Sequence, residues 1–211
     1  MKCVLFDFDG VIIDSEIGAF EHFRKSLKRT GIDITLDELL KYIGKSSLEI
    51  TTELFNKNNI NRDPQEFLVE RRNSGSYYEV SELLIMPGLI EFLETLKNKN
   101  IKMAVVSSTS SRSVVTALNR LSLLKYFDAI ICGDMVKETK PSPEGYLKAA
   151  KLLNANPDDC IVIEDSPIGI QAGKNAGMKV IGFTGSTHVQ DTSNADIEVK
   201  SFTELMDLYN M

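Results

Sequence analysis

Two aspartates separated by one residue close a short apolar run near the start of the chain. The run covers residues 3–8, and the motif DFDGV, which begins at Asp7, ends it. Because side chains alternate along an extended strand, Asp7 and Asp9 lie on the same side, and Gly10 lets the chain turn sharply after them. Two carboxylates at one point suit acid and base catalysis and the binding of a cation. Taken alone, acids at a strand end are also common turn formers.

A second acidic pair, Glu164 and Asp165, follows the apolar run at residues 160–163 in the same manner. If the two runs are neighbouring strands, three or four carboxylates meet in one crevice. Such a cluster repels itself and raises its own pKa values unless a cation lies among its members. Mg²⁺ fits best, because it binds few carboxylates, keeps several waters and accepts a substrate phosphate as a ligand. The sequence therefore predicts a Mg²⁺ site.

Groups that can hold an anion follow other apolar runs. Ser107, Ser108 and Thr109 lie between the run at 103–106 and a helical pattern, where hydroxyl and backbone N–H groups can hold a phosphate. Lys140 precedes Ser-Pro, a pair that caps and begins a helix, so we expect its ammonium group to point at the same site. Taken alone, the hydroxyl residues could simply cap a helix, and Lys140 could simply be a solvated surface side chain. Their joint occurrence at strand ends favours a site.

The elements that must position these residues alternate between strands and helices. Helical apolar stripes occur between the runs, as at Leu89, Phe92, Leu93 and Leu96. This alternation is typical of an α/β fold with a parallel sheet. The predicted buried strands cover residues 3–8, 103–106, 129–132, 160–163 and 180–183.

The alternation breaks once, between the first and second predicted strands. Apolar residues recur there at helical spacing, as at Phe20, Phe23 and Leu27, and no strand pattern appears. The sequence therefore predicts a helical cap domain over 15–84, inserted into a core domain of 1–14 and 85–211. An insertion that leaves and returns beside strand one would lie over the carboxyl edge of the sheet, where open α/β sheets bind ligands.

Composition and charge exclude several classes of protein. The chain has 211 residues, of which 43% are hydrophobic and 26% charged, and 24 basic against 30 acidic side chains give a net charge of −6. This balance argues against nucleic acid as a partner, because a phosphate backbone requires clustered Lys and Arg. No apolar stretch approaches the roughly 20 residues of a membrane-spanning helix, and no secretory signal pattern is present. We expect a soluble protein without a membrane partner.

Three cysteines, Cys3, Cys132 and Cys160, lie in or beside apolar runs without CxxC spacing. This pattern favours buried thiols that form neither a disulfide nor a metal site. A reducing, cytoplasmic location follows from that interpretation.

Four motifs in order make the chain resemble the haloacid dehalogenase-like superfamily of phosphotransferases. They are DFDGV at Asp7, the serine of VVSS at Ser107, the lysine of KPSPEGY at Lys140, and the acids of IEDSPIGIQAG at Glu164 and Asp165. The resemblance covers the whole length. It implies a Rossmann-like, doubly wound parallel sheet of order 3-2-1-4-5 with an inserted all-helical cap, as in the β-phosphoglucomutase and phosphoglycolate phosphatase branch.

The resemblance also implies roles for individual residues. Asp7 is similar to the nucleophile that attacks phosphorus and binds Mg²⁺, and Asp9 to the acid and base, whose backbone carbonyl also reaches the metal. By the same resemblance Ser107, Ser108 and Lys140 bind the phosphoryl group, Asp165 binds the metal, and Glu164 is a metal ligand or lies just behind one.

Substrate contacts are expected from the cap. Arg72 aligns with a lysine that the mutases use, and Lys45 is a candidate substitute for their sugar-phosphate arginine, whose place lies near Ser47. Ala19 occupies the place of the mutases' hinge histidine. Thr109 could contact the substrate or cap its helix. For Arg72, a solvated helix face is the alternative.

The sequence thus predicts a monomeric Mg²⁺-dependent phosphatase that hydrolyses a small phosphorylated metabolite through an aspartyl-phosphate. The alternative is a phosphosugar mutase, which the departures at Ala19 and Ser47 disfavour. A phosphoryl-accepting signalling module would also combine acids, hydroxyls and lysine, but its phosphorylated Asp lies on a middle strand. The sequence does not identify the substrate.

Overall fold

In the part of the chain that the structure describes, six parallel strands form a single sheet of order β3-β2-β1-β4-β5-β6. The computed structural model describes residues 2–42 and 45–209. The α/β class and the order of the first five strands are as predicted. The strands are β1 (Cys3–Phe6), β2 (Lys102–Val106), β3 (Ala129–Ile131), β4 (Cys160–Glu164), β5 (Lys179–Phe183) and β6 (Ile197–Val199).

The edge strand β6 is a correction to the predicted sheet of five. It has three residues, of which only Val199 is buried, so it lacks the apolar run that identifies the other strands. It pairs with β5 in parallel, with Phe183 opposite Val199. A short edge strand that is half exposed carries little hydrophobic signal, which is why the sequence pattern missed it.

Strand β1 is shorter than predicted, and this moves both aspartates into the turn that follows it. The sheet pairing nevertheless continues to Asp7, whose N–H donates to the carbonyl of Ile163 at 2.9 Å. Gly10 has a φ of +80°, and its N–H donates to the carbonyl of Ile13 at 2.8 Å, closing a tight loop. A φ in this region favours glycine.

Among its described residues, the compact unit that contains the sheet, Met1–Ser15 and Leu83–Met211, has five α-helices. The helical spacing of apolar residues over 114–121, 146–153 and 168–172 predicts buried stripes; most of these side chains are buried, but Val115, Leu147 and Ile168 are exposed because each lies one residue away from the face that meets the sheet. The helices are α6 (Leu89–Asn98), α7 (Ser111–Arg120), α8 (Glu144–Leu152), α9 (Pro167–Asn175) and α10 (Phe202–Leu208).

The second compact unit, Glu16–Glu82, is helical in its described residues, and we call it the helical unit. It has its own core, in which Phe23, Leu27, Leu39, Leu54 and Phe67 are buried. Thr35 and Ser46 close capping boxes at two of its helix starts, so local sequence fixes where these helices begin. The helices are α1 (Glu16–Lys28), α2 (Leu36–Leu40), α3 (Ser47–Lys57), α4 (Pro64–Asn73) and α5 (Tyr77–Val80).

The chain leaves and re-enters the sheet unit through two segments that pair with each other. Asp14 N–H donates to the Leu84 carbonyl at 2.9 Å, and Met86 N–H donates to the Ile12 carbonyl at 3.0 Å. The two connections to the helical unit are therefore fixed side by side.

The prediction of three unpaired thiols is wrong for two of them. Cys3 and Cys160 form a disulfide between β1 and β4, because the parallel register places them opposite each other with Cα atoms 4.9 Å apart. Cys132 is a buried free cysteine, as predicted. The predicted cytoplasmic location rested on unpaired thiols, so the paired cysteines do not support it. Within the described part of the chain, no helix is both long and apolar enough to cross a bilayer.

Candidate active site

The first aspartate of DFDGV, the motif lysine and the glutamate that ends β4 form one buried cluster. The Lys140 Nζ atom lies 2.5 Å from Oδ1 of Asp7 and 2.6 Å from Oε1 of Glu164. All three side chains are almost fully buried. Residues 133 positions apart in sequence are thus brought into direct contact at the carboxyl edge of the sheet, as predicted from the strand ends.

Neighbouring strands explain why these groups meet. Strands β1 and β4 pair in register, with Phe6 opposite Ile163, so the residues that follow them emerge side by side. Lys140 precedes α8, whose Tyr146 lies against it, with Nζ 5.3 Å from the ring centroid. An aromatic ring that faces an ammonium group stabilises the charged form.

Burial controls the ionisation of this cluster. Burial raises the pKa of Asp7 to about 7, although Lys140 opposes the shift. Burial, together with repulsion from Asp7 and Glu164, raises the pKa of Asp165 to about 9. Burial by itself would lower the pKa of Lys140, but attraction to the two carboxylates outweighs it, and the pKa is raised. The lysine is therefore charged, whereas the two aspartates resist ionisation, and a cation bound among them would favour their ionised forms.

Three of these acids fit a hard divalent cation. Asp7, Glu164 and Asp165 are buried, and each offers an oxygen within 4.8 Å of the others. An all-oxygen set of carboxylates suits Mg²⁺ or Ca²⁺ rather than a softer metal. Gly10 packs directly against Asp165, since a Cβ at Gly10 would overlap the carboxylate. The residues present therefore fit the predicted metal.

Glu164 is engaged more extensively than a simple ligand. Its Oε1 accepts from Lys140 and from the hydroxyl of Tyr146 at 2.8 Å. Its Oε2 accepts from the N–H of Asp165 at 3.1 Å and from the N–H and hydroxyl of Ser166 at 3.2 and 3.0 Å. Both oxygens are thus occupied, which favours a role in holding Lys140 and the turn after β4. Direct metal binding by Glu164 stays a prediction.

Asp9 lies outside this carboxylate cluster and is held by two hydroxyls. Ser15 donates to its Oδ1 at 2.5 Å, and Thr109 donates to its Oδ2 at 2.9 Å. The Thr109 hydroxyl is therefore used to orient Asp9, which favours positioning over the predicted substrate contact. The carboxylate side chain of Asp9 points to hydroxyl groups, so its predicted contact to metal rests on the backbone carbonyl.

The two predicted phosphate-binding serines follow β2 as expected. Ser107 is buried, its N–H donates to the carbonyl of Ile131 at 2.9 Å, and its hydroxyl accepts from the N–H of Thr109 at 3.0 Å. Ser108 is exposed, and with Ser107 and Lys140 it lines one narrow cavity. These three groups are therefore gathered at one place.

The chain was compared with known proteins. A model of the haloacid dehalogenase-like hydrolase family matches residues 4–183. The chain belongs to this family. Haloacid dehalogenase-like relatives include a phosphorylated carbohydrates phosphatase of Thermotoga maritima, 38% identical over 182 residues that cover 86% of this chain and 84% of the relative. A β-phosphoglucomutase of Bacillus subtilis is 33% identical over 213 residues, covering 97% of this chain and 92% of the relative.

Solved haloacid dehalogenase-like structures share the fold. A crystal structure of β-phosphoglucomutase from Clostridium difficile superposes with a TM-score of 0.75 at 29% identity and covers 100% of this chain and 95% of the other. Both the phosphatase and the mutase branches of the family are therefore similar to this chain over most of its length.

Two of the three residues predicted to contact substrate, Lys45 and Arg72, lie in the helical unit. Lys45 pairs with Glu53 at 2.7 Å, and Nζ lies 5.2 Å from the ring centroid of Tyr42. Arg72 is exposed near the end of α4. Substrate contact by either residue stays a prediction.

Sequence reasoning missed two side chains at the site. Tyr146 begins an apolar stripe at helical spacing over residues 146–153, a pattern that predicts only a core position, yet its hydroxyl donates to Glu164. The signal was the polar end of a buried tyrosine, which needs a partner. Ser15 is the first residue of the predicted cap, and no pattern in the sequence points to its contact with Asp9.

Proposed function

We propose that this chain is a phosphatase that hydrolyses small phosphorylated metabolites, phosphosugars among them, with Asp7 as the nucleophile. One observation carries the proposal: a buried carboxylate at the end of β1 lies in direct contact with the motif lysine and beside two further acids. A single aspartate at a strand end is not specific to one reaction. The combination of this carboxylate with the lysine and the two further acids meets the demands of phosphoryl transfer, which are positioning and charge stabilisation.

Asp7 and Asp9 divide the chemistry between them in this proposal. An oxygen of Asp7 attacks phosphorus and forms an aspartyl-phosphate while the bond to the leaving alkoxide breaks. Asp9, oriented by Ser15 and Thr109, gives its proton to that alkoxide. Asp9 then takes a proton from water as the water oxygen attacks phosphorus. The bond between phosphorus and the Asp7 oxygen breaks, which frees the Asp7 carboxylate and releases inorganic phosphate.

The remaining residues hold charge and geometry. Lys140, kept cationic by two carboxylates, faces the negative phosphoryl oxygens, and the Ser107 hydroxyl and Ser108 N–H bind them from the end of β2. Mg²⁺, held by Asp7 and Asp165, supplies neutralisation of the developing charge when bound. The family membership and the buried acidic cluster support this cofactor.

The substrate class rests on relatives and on charge. The Thermotoga maritima relative is a phosphatase of phosphorylated carbohydrates, which supports a phosphosugar. A net charge of −6 supports a small anion held by local groups rather than nucleic acid. A monomeric state in the cytoplasm and substrate contacts from Lys45 and Arg72 belong to the same proposal.

The proposal is tested by measuring phosphate release from a panel of sugar phosphates, nucleotides and short phosphorylated acids in the presence of Mg²⁺. We expect multiple turnovers with at least one sugar phosphate. Asp7→Asn should abolish turnover without unfolding the protein, and Asp158→Asn, the same change at an exposed position, should leave it intact. Conversion of a hexose 1-phosphate to its 6-phosphate without phosphate release would establish the mutase alternative.

A further inference from the structure

The loop after β5 contacts the acidic cluster through the side chain of Gln190, which has no part in the proposed phosphatase chemistry. The amide nitrogen Nε2 of Gln190 donates to Oδ2 of Asp165 at 3.3 Å, at the long end of the hydrogen-bond range. We infer that Gln190 is a positioning residue that orients the Asp165 carboxylate for the divalent cation. The inference rests on the metal site of the proposed function and adds a residue that none of the four motifs contains.

Two neighbours restrict Oδ2 of Asp165. Gln190 donates to it, and the backbone of Gly10 packs so closely that a Cβ there would overlap the same oxygen. Asp165 itself is only 5% exposed. Because a carboxylate rotates as one planar group, fixing Oδ2 also fixes Oδ1, the oxygen that is not bonded to Gln190.

The loop that carries Gln190 is anchored on both sides of it. Before Gln190, the N–H and hydroxyl of Thr187 donate to the Asp14 carboxylate at 3.2 and 2.9 Å. After it, Thr192 is buried and donates its hydroxyl to Glu198 in β6. With anchors three residues before and two residues after, the Gln190 side chain has a defined starting position for its contact.

A neutral amide is the chemistry this position requires. A carboxylate there would place a further negative charge beside the buried acids Asp7, Glu164 and Asp165. A lysine would compete with the cation for Asp165. The glutamine amide donates one hydrogen bond, which stabilises the ionised carboxylate without adding net charge. Removing such partners of metal ligands typically weakens metal affinity about 10–100-fold.

The experiment measures Mg²⁺ binding without substrate, by isothermal titration calorimetry at pH 8 on the full chain. Gln190→Met keeps the length of the side chain and removes the donor. Gln171→Met is the matched control, since the amide of Gln171 donates to exposed Asn175 on α9. We expect the Mg²⁺ dissociation constant to rise about tenfold in Gln190→Met, the lower end of that range, and to stay within about twofold in the control.

A second readout separates positioning from general damage. In Gln190→Met, kcat and the substrate KM should return toward native values at saturating Mg²⁺, because only the occupancy of the metal site is impaired. A native Mg²⁺ dissociation constant in a folded Gln190→Met protein would overturn the inference. If that variant does not fold, Gln190→Asn withdraws the same amide by one methylene, and native Mg²⁺ affinity in Gln190→Asn would overturn it equally.

The outcomes also distinguish this inference from the proposed function. A native protein that binds Mg²⁺ through a Gln190-dependent site but releases no phosphate would refute the phosphatase proposal and support the role of Gln190. If the native protein releases phosphate and the Gln190 variants bind Mg²⁺ with unchanged affinity, the phosphatase proposal is supported and the role of Gln190 is refuted. A native protein that binds no Mg²⁺ would refute both.

Discussion

Replacing Lys140 by methionine tests whether the lysine is the charge partner on which the buried acids depend. The Lys140 side chain is 8% exposed and contacts Asp7 and Glu164, whose side chains are 11% and 0% exposed. Removing one member of a buried ion pair costs about 3–5 kcal/mol, because the other charge stays buried and uncompensated. Since Lys140 serves two carboxylates, we expect Lys140→Met to lower the free energy of unfolding by an amount in that range at pH 8 without metal.

The loss should be smaller at pH 5 than at pH 8. Burial raises the pKa of Asp7 to about 7, so its carboxyl is largely protonated in the folded state at pH 5 and needs less compensation than at pH 8, where it is largely ionised. The measurement is urea unfolding followed by circular dichroism at both pH values. Lys148→Met is the control, because Lys148 is half exposed and lies 3.9 Å from Glu144. A Lys140→Met protein within about 1 kcal/mol of native at pH 8 would refute the reasoning, since that is the size of a surface pair.

Three more outcomes are expected from the same structure. Mg²⁺ affinity should rise between pH 6 and pH 9, because the carboxyls of Asp7 and Asp165 have raised pKa values and must lose protons to bind metal. Titration calorimetry in two buffers of different ionisation enthalpy will count the protons released on binding, and binding without proton release would contradict the prediction. Gly10→Ala should abolish Mg²⁺ binding and turnover, because a Cβ overlaps Asp165 and the φ of +80° disfavours alanine; native metal affinity would be inconsistent with that contact. The denatured, unreduced protein should react with a thiol reagent once, at Cys132, and three times after reduction; three reactive thiols before reduction would show that the disulfide does not form.

Much of the fold followed from local pattern. Short, continuous apolar runs predicted the first five strands, because a parallel sheet covered by helices buries both faces of most of its strands. The helical spacing between Ser15 and Leu84 predicted the inserted helices, and capping boxes at Thr35 and Ser46 fix their starts. The sequence pattern did not predict strand β6, because only Val199 of its three residues is buried and the strand therefore has no continuous apolar run.

The acidic and cationic members of the site were also visible in the sequence, since each follows a predicted strand. What the sequence left open was the use of each group. Glu164 is a predicted metal ligand whose two oxygens both accept hydrogen bonds, and Thr109 is a predicted substrate contact whose hydroxyl donates to Asp9. Those assignments depend on side-chain directions, which spacing along one strand does not fix.

The sequence by itself determined which residue types stand at the ends of strands, and therefore the chemistry that the protein can offer. The tertiary structure alone decided which of those residues touch. Cys3 meets Cys160 only because β1 pairs with β4, and Gln190 meets Asp165 only because a loop after β5 is anchored beside the acidic turn. The physical reason is that side-chain contacts require distances of a few ångströms between residues far apart in the chain, and only the order and register of the sheet set those distances.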